Sequence, residues 1–226
     1  MLEALPACTI TLTESFDTRH LREGLAWTDL QKSITDFLRR MLAERPDMRL
    51  FLDAHSSVAF LAGATLGFKT GADVEVIQKG LNNPGQVWNA KDGIDGPASQ
   101  INTERISNGN DLAISVGLSR DPIQQVREYV VAGLPGVGTI LHIIPNDGVG
   151  QDAIKGGTHA ANIAAAVATA IAGMRKPGAT VHVFVSGPNA FSFLLGQQAE
   201  SMGRCVPYEF DFNGRVHGSY EPTFSI

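Results

Sequence analysis

Two stretches of the chain share one pattern: RLFLDAHSSVAFLAGATLG at residues 49–67 and HVFVSGPNAFSFLLGQQAE at residues 182–200. In each stretch an apolar run is followed by a short polar turn and then by an apolar segment of helical length. A constant offset of 133 residues aligns identical residues, among them Phe51 with Phe184, Phe60 with Phe193, and Gly63 with Gly196. Two copies are too few for a repeat array, so the match predicts two halves related by a pseudo-two-fold axis.

Strands and helices alternate on both sides of these stretches. The periodicity predicts strands at residues 8–13, 49–53, 74–79, 112–117, 139–144, 181–185 and 206–212, and helices at residues 28–44, 57–68, 122–132, 158–174 and 190–202. Nearly all-apolar strands that alternate with helices are typical of mostly parallel sheets covered by helices on both faces. We therefore expect an α/β fold built from two fused units with mostly parallel sheets.

A polar segment separates the two halves. Residues 81–110 are rich in Gly, Pro, Asn and Asp, and they show no sustained period apart from a short strand expected at residues 86–89. We interpret this segment as a connector that belongs to a first half at residues 1–110. The second half is then expected at residues 111–226.

Composition narrows the class of protein. With 43% hydrophobic and 18% charged residues, the chain fits a globular protein rather than a disordered one. The formal net charge of −5 argues against a broad basic surface, so we expect no direct DNA binding. The sequence has only two cysteines and no run of about 18 apolar residues. These features favour a soluble cytoplasmic protein without a membrane partner, a disulfide framework or a cysteine-rich zinc site.

Polar turns follow several predicted strands, and open parallel sheets bind ligands beyond the carboxyl ends of their strands. Helix N-termini at such turns offer N–H groups and a positive dipole end to an anion. Three turns supply candidate ligand-binding residues: His55, Ser56 and Ser57; Leu118, Ser119 and Arg120; and Ser186, Gly187, Pro188 and Asn189. Arg120 is the candidate for direct pairing with a phosphate, and an ion pair with Asp121 is the alternative. For the other turn residues, the alternative is helix capping without a ligand.

Three further residues complete the candidate site. Trp88 lies in the polar connector, where an indole ring suits stacking on a nucleobase. Lys155 and His159 belong to a glycine-rich segment at residues 146–159. This segment is interpreted either as a lid that closes on a ligand or as an ordinary flexible loop.

Catalytic motifs are absent from the sequence. The chain contains no Gly-x-Ser-x-Gly elbow, no HExxH or CxxC motif, and no phosphate-binding loop of the Walker type. Asp92 and Asp95 are close together, but they lie in a loop-like segment where such acids are common. We therefore predict a binding protein rather than an enzyme, with no catalytic residue, no metal ion and no cofactor.

This combination resembles the SAVED family, the cyclic-oligonucleotide sensors of bacterial CBASS antiphage effectors, which are built from two fused CARF-like, Rossmann-like units. The resemblance covers roughly residues 7–212 and rests on LFLDAHSSVAFLAG, VHVFVSGPNAFSFLLG, ISVGLSRDP and THAANIAAAVATAIAGM. It implies that a cyclic di- or trinucleotide binds in a central cleft between the halves. It further implies that binding promotes oligomerisation and activates a fused effector, such as an HNH-type nuclease. The chain itself resembles the sensor domain without its effector.

An enzyme acting on the same ligand is the alternative hypothesis. A CARF-like ring nuclease or nucleotide hydrolase would use His55, Lys155 and His159 to position and stabilise the reacting phosphodiester. Excess protein would then convert the ligand into a linear product. A sugar- or nucleotide-processing Rossmann enzyme is disfavoured because the glycine fingerprint is missing.

Overall fold

The computed structural model describes residues 8–78, 85–212 and 219–226. In chain order the elements are β1 (Phe16–Asp17), β2 (His20–Leu21), α1 (Trp27–Glu44), β3 (Asp47–Phe51), α2 (Ser56–Thr65), β4 (Asp73–Gln78), β5 (Gln86–Trp88), β6 (Ser99–Arg105), β7 (Asp111–Gly117), α3 (Ile123–Gly133), β8 (Val137–Pro145), α4 (Gly157–Met174), β9 (Val181–Ser186), α5 (Asn189–Gly196), α6 (Ala199–Met202), β10 (Cys205–Phe210) and β11 (Tyr220–Pro222). Within the described part of the chain, none of the helices combines the length and apolar character that crossing a membrane requires.

Strands β7 to β11 of the second half and β6 from the connector form a six-stranded sheet in the order β11–β10–β9–β7–β8–β6. The four central strands run parallel, and β6 and β11 pair antiparallel at the two edges. From β7 the chain passes through α3 to β8, and from β8 it passes through α4 to β9 on the other side of β7. The winding therefore reverses between β7 and β9. Open α/β sheets bind ligands at such a switch point.

The two halves repeat one order of elements. The first half contains α1, β3, α2, β4 and β5, and the second half contains α4, β9, α5, β10 and β11, with α6 inserted before β10. In both halves the first two strands pair in parallel, and the third pairs antiparallel with the second. The predicted α/β fold with two related units and a mostly parallel main sheet is confirmed.

Helices α2 and α5 pack against each other through the residues that the internal match aligns. A Cβ atom added to Gly63 would overlap the carbonyl oxygen of Phe193, and one added to Gly196 would overlap the carbonyl oxygen of Phe60. The contact is reciprocal because each pair of identical residues occupies equivalent positions in the two halves. Both phenylalanine side chains are fully buried. The pseudo-two-fold axis therefore passes between these helices. Their backbones come into contact at Gly63 and Gly196 because glycine has no Cβ atom.

The structure departs from the sequence predictions about secondary structure in several places. Residues 8–13 contain no strand, and a 3₁₀ helix at Thr13–Ser15 leads into β1 instead. Sequence analysis missed β6, because its polar sequence SQINTER resembles a loop, although it pairs along its whole length with β8. The helix expected at residues 190–202 is divided into α5 and α6. The predicted strand at 74–79 and the connector at 81–110 extend into residues 79–84, which lie outside the described residues.

The N-terminus of α4 is capped by a side chain from a distant loop. Asp92 Oδ2 accepts the Gly157 N–H at 2.7 Å, and Asp92 Oδ1 accepts the N–H groups of Thr158 at 3.0 Å and Ile94 at 2.8 Å. Partial burial opposes ionisation, but these hydrogen bonds outweigh it and hold the pKa of Asp92 below its usual value. Asp92 therefore fixes the connector onto the helix that leads into β9.

Replacing Asp92 with alanine is expected to lower the free energy of unfolding by about 1 to 2 kcal/mol at pH 7, as for other helix caps. A lowered pKa in the folded state means that the carboxylate stabilises the fold above its unfolded-state pKa of about 3.9. The advantage of the wild type should therefore be constant above that pH and should shrink as the pH falls further. Urea unfolding at pH 7 and pH 3 measures both effects. The exposed Asp147, changed to alanine, is the control and should stay within about 0.5 kcal/mol of the wild type.

Candidate functional site

An open cleft of about 1490 Å³ lies at the carboxyl ends of β3, β7, β9 and β10 and extends along α1 and β3. Polar side chains from both halves line the end near the switch point, and apolar side chains such as Phe37, Met41 and Leu50 line the other part. Pockets for drug-sized molecules usually measure about 300 to 1,000 Å³. The cleft therefore has room for a ligand larger than a mononucleotide.

The turns after β7 and β9 form one wall of the cleft. The carbonyl oxygen of Ser186 accepts the N–H groups of Leu118 at 2.8 Å and Ser119 at 2.9 Å, so the two turns are locked together. Ser119, Arg120, Ser186 and Gly187 line the cleft. The Leu118 side chain is buried and packs beside Gly187. Four of the residues predicted in these turns thus share one surface, which Leu118 supports from the core.

The turn after β3 forms the facing wall, and polar side chains connect it to the second half. Asn189 donates its amide N–H groups to the carbonyl oxygens of Leu52 at 3.0 Å and Ala54 at 2.8 Å. The hydroxyl oxygens of Ser56 and Ser192 lie 2.7 Å apart and share a hydrogen bond. Ser56 and Asn189 both line the cleft. These two predicted residues therefore hold the two halves in a defined relative position.

The N-termini of α2 and α5 are each capped from the opposite half. The Ser57 N–H donates to Glu209 Oε1 at 2.6 Å, and the Ala190 N–H donates to Gln78 Oε1 at 3.2 Å. A carboxylate of the chain itself therefore occupies the α2 N-terminus, where Ser57 was expected to meet an anionic ligand. The Ser57 hydroxyl is buried and has no hydrogen-bond partner among the described residues.

His55 lines the cleft but its ring is engaged with its neighbours. The imidazole stacks on Phe16, with 4.4 Å between ring centroids, and meets Trp27 edge-on. Its Nε2–H donates to the carbonyl oxygen of Arg19 at 3.0 Å. His55 therefore anchors the hairpin formed by β1 and β2, and this anchoring contact could not be read from the predicted turn alone.

Two arginines on the cleft wall stack on aromatic rings at the end of β10. The Arg120 guanidinium carbon lies 4.5 Å from the centroid of Phe210, and that of Arg19 lies 4.6 Å from the centroid of Phe212. All four residues line the cleft. The alternative of an ion pair between Arg120 and Asp121 is not realised, because Asp121 Oδ1 accepts hydrogen bonds from the Ile123 N–H at 3.0 Å and from His142 Nε2 at 2.9 Å. Sequence analysis missed Arg19, Phe210 and Phe212; the alternating aromatic residues at 208, 210 and 212 are the signal that was available.

Two buried tyrosines, Tyr208 and Tyr220, also line the cleft. Burial raises the pKa of Tyr220 to about 12, against the opposing effect of the nearby Arg120. Burial also raises the pKa of Tyr208, whose hydroxyl oxygen lies 2.9 Å from Nδ1 of His182. Burial lowers the pKa of His182. The phenols therefore remain protonated at neutral pH and can donate hydrogen bonds, but they are poor acids.

The structure does not bring Trp88 to the cleft. Its side chain is 5% exposed and belongs to the main hydrophobic core, with Nε1–H donating to Gln86 Oε1 at 3.3 Å. A base cannot stack on this ring without displacing core side chains. The prediction of an exposed platform is wrong because polar neighbours in sequence do not prevent a ring in a short strand from turning inward.

Lys155 and His159 also lie outside the cleft lining. His159 is 1% exposed, donates from Nε2 to the carbonyl oxygen of Pro97 at 2.8 Å, and accepts the Lys155 N–H at Nδ1. The Lys155 ammonium donates to the carbonyl oxygen of Asp152. Pro188, which caps the start of α5, is likewise not a lining residue. The side chains proposed for ligand cleavage, His55, Lys155 and His159, therefore do not share one site.

Metal ligands are not grouped in the part of the chain that the structure describes. No set of three or more His, Cys, Asp or Glu side chains there is placed to hold a metal ion.

Comparison with known proteins shows which protein family the chain belongs to. The model of the SAVED family, described as the SMODS-associated and fused to various effectors sensor domain, matches residues 30–226. CD-NTase-associated protein 4 of Enterobacter hormaechei subsp. hoffmannii (strain UCI 50) is 36% identical over 228 residues. This alignment covers 100% of the chain and 46% of that relative, so the chain spans about half of the relative's length.

Solved structures share the fold at low sequence identity. A Cap4 SAVED/CARF-domain containing receptor of Acinetobacter baumannii, in complex with the cyclic trinucleotide 3′3′3′-cAAA, has a TM-score of 0.66 and 13% identity over 88% of this chain and 43% of its own. The same receptor with 2′3′3′-cAAA has a TM-score of 0.65, 13% identity and the same coverage. A Cap4 receptor of Moraxella osloensis has a TM-score of 0.57 and 14% identity over 88% of this chain and 41% of its own. The fold and the match over residues 30–226 agree, and the chain belongs to the SAVED family of sensor domains.

Proposed function

We propose that the chain binds a cyclic oligonucleotide, and in first place a cyclic trinucleotide, in the cleft between its two halves. This proposal rests on one observation: turns from both halves line the same cleft near the switch point of the main sheet, and Arg120 lies on the wall of that cleft. A guanidinium pairs well with a phosphodiester, and the adjoining aromatic and hydroxyl groups suit a nucleotide. The cyclic trinucleotides held by the Acinetobacter baumannii receptors of the same fold support this class of ligand.

The proposed role is that of a cytoplasmic sensor in bacterial antiphage defence of the CBASS type. The relative from Enterobacter hormaechei is about twice as long as the region it shares with this chain. We infer that in the full-length protein this domain is joined to an effector, such as a nuclease, and that it reports ligand binding by self-association rather than by turning over the ligand.

For ligand binding to be transmitted to the effector, the ligand must have different affinities for the separate and the self-associated states of the domain. A ligand shifts an assembly equilibrium only if it binds one state more tightly than the other. The polar end of the cleft is built from both halves, so a ligand that contacts both walls can change how they sit together. We propose that this change alters the surface presented to a neighbouring protomer.

Addition of 3′3′3′-cAAA or 2′3′3′-cAAA to the chain is expected to give saturable binding by calorimetry and at least a doubling of the mass measured by light scattering. The physical reason is that both walls of the cleft contact one ring, which stabilises the self-associating state. Cyclic dinucleotides form a second arm of the panel, and linear triadenylate and ATP are the controls at equal concentration.

Two outcomes would count against this function. Failure of every cyclic ligand to bind at concentrations up to the millimolar range would exclude the cleft as a cyclic-oligonucleotide site. An unchanged mass at saturating ligand would exclude transmission by self-association. Chromatography of the same mixtures is expected to return the ligand intact, and a linear product would favour the ring-nuclease alternative.

A further inference from the structure

Two arginines from different halves stand side by side on the end of β10. Arg120 comes from the turn after β7, and Arg19 comes from the hairpin between β1 and β2. Their guanidinium groups cover Phe210 and Phe212 at 4.5 Å and 4.6 Å from the ring centroids. These two rings pack edge to face, with centroids 4.9 Å apart. The aromatic pair therefore sets the spacing of two cationic groups on one wall of the cleft.

Neither guanidinium is neutralised by a carboxylate in the described part of the chain. Other arginines are: Arg49 donates to Glu75 at 2.8 Å from Nε, and Arg127 donates to Glu104 at 2.7 Å. A guanidinium that stacks through its face keeps the N–H groups along its edge available. The planar fork of these N–H groups matches the oxygens of a phosphate.

The hairpin that carries Arg19 is held in an unusual backbone conformation. Thr18 has a φ of 56°, which is rare for a β-branched residue. His55 donates to the Arg19 carbonyl oxygen at 3.0 Å and stacks on Phe16, so the turn after β3 holds the hairpin from the cleft side. Strained backbone persists where the surroundings determine it, and here the result is a fixed position for Arg19.

We propose that Arg19 and Arg120 form a two-point phosphate clamp, one arginine from each half, that holds two phosphates of the bound ring. This inference rests on the proposed function, and it names the side chains that bind the negatively charged phosphates of the ligand. His55 acts on the ligand through Arg19 and is a positioning residue. The clamp gives the first half a direct phosphate contact, which the α2 N-terminus does not supply because Glu209 occupies the Ser57 N–H.

The test compares Arg19→Ala, Arg120→Ala and the double variant with the wild-type chain, using 3′3′3′-cAAA and 2′3′3′-cAAA as probes in calorimetry. Each single variant is expected to bind at least about tenfold more weakly, and the double variant more weakly than either. Each lost arginine should also reduce the salt dependence of the binding constant, because one phosphate contact fewer displaces fewer counterions. A merely structural role for Arg19 would leave the salt dependence unchanged.

Arg40→Ala is the matched control. Arg40 also stacks on a phenylalanine, with 5.8 Å to the centroid of Phe37, but it does not line the cleft. The Arg40→Ala variant is expected to bind both probes with wild-type affinity. Wild-type affinity and salt dependence in Arg19→Ala, in a chain that binds either probe, would overturn the clamp and leave the proposed function standing. Absence of binding by the wild type would overturn both.

Discussion

Replacing Gly63 or Gly196 with alanine is expected to lower the free energy of unfolding by about 3 kcal/mol, because each added Cβ meets a backbone carbonyl oxygen of the facing helix. A flexible side chain could rotate away from the new methyl group, but a helix backbone moves only as a unit. Separating α2 and α5 would also weaken the reciprocal contact at the equivalent glycine. Guanidinium unfolding followed by circular dichroism measures the loss.

Gly173→Ala is the control for these variants. Gly173 also lies in a helix, and an added Cβ there meets no atom within 4 Å. Alanine has the higher helix propensity, so this variant should be neutral or more stable by up to about 1 kcal/mol. If Gly63→Ala were as stable as Gly173→Ala, the close approach of α2 and α5 would not be required for the fold.

Trp88→Ala is expected to destabilise the protein by about 3 to 5 kcal/mol, the usual range for removing a large aromatic side chain from a core. The ring is 5% exposed, and it lies apart from the cleft lining. The substitution therefore removes buried apolar contacts and leaves the proposed ligand contacts in place. Unfolding in guanidinium measures the loss of stability, and calorimetry with 3′3′3′-cAAA measures any change in binding.

Trp88→Phe separates packing from ligand contact. This variant keeps most of the buried surface, so it is expected to be folded at 25 °C and to bind the probe with wild-type affinity. Wild-type stability of Trp88→Ala together with weaker binding would contradict the burial of the ring and would restore its assignment as a base platform.

Much of the fold could be predicted because buried elements impose their period on the sequence. The strongest result came from the internal match, since Gly63, Gly196, Phe60 and Phe193 are the residues that touch across the pseudo-two-fold axis. The edge strand β6 escaped prediction because an edge strand needs few apolar residues, and its burial pattern has no sustained apolar face.

The position of the candidate site could be predicted from the sequence, but most of the contacts between its side chains could not. Parallel strands bring their carboxyl ends to one edge, so the turns containing Ser56, Ser119 and Ser186 were expected to meet. The contacts that define the site join residues far apart in sequence, such as Arg19 with Phe212 and Ser57 with Glu209. The alternating aromatic residues at 208, 210 and 212 are a local signal for one side of such a pair, but no local pattern identifies the partner that lies far away in sequence.

The reciprocal capping of α2 and α5 is symmetric in geometry but not in charge. Glu209 brings a carboxylate to one helix, whereas Gln78 brings a neutral amide to the other. Of these two side chains, Glu209 lines the cleft and Gln78 does not. A ring of identical nucleotides bound between the halves would therefore meet chemically distinct environments on its two sides. Its rotational equivalence would be lost on binding, and one nucleotide would be assigned to each environment. Exchanging one 3′–5′ linkage for a 2′–5′ linkage makes the nucleotides of the free ring inequivalent, so such a ring is expected to bind in one preferred orientation.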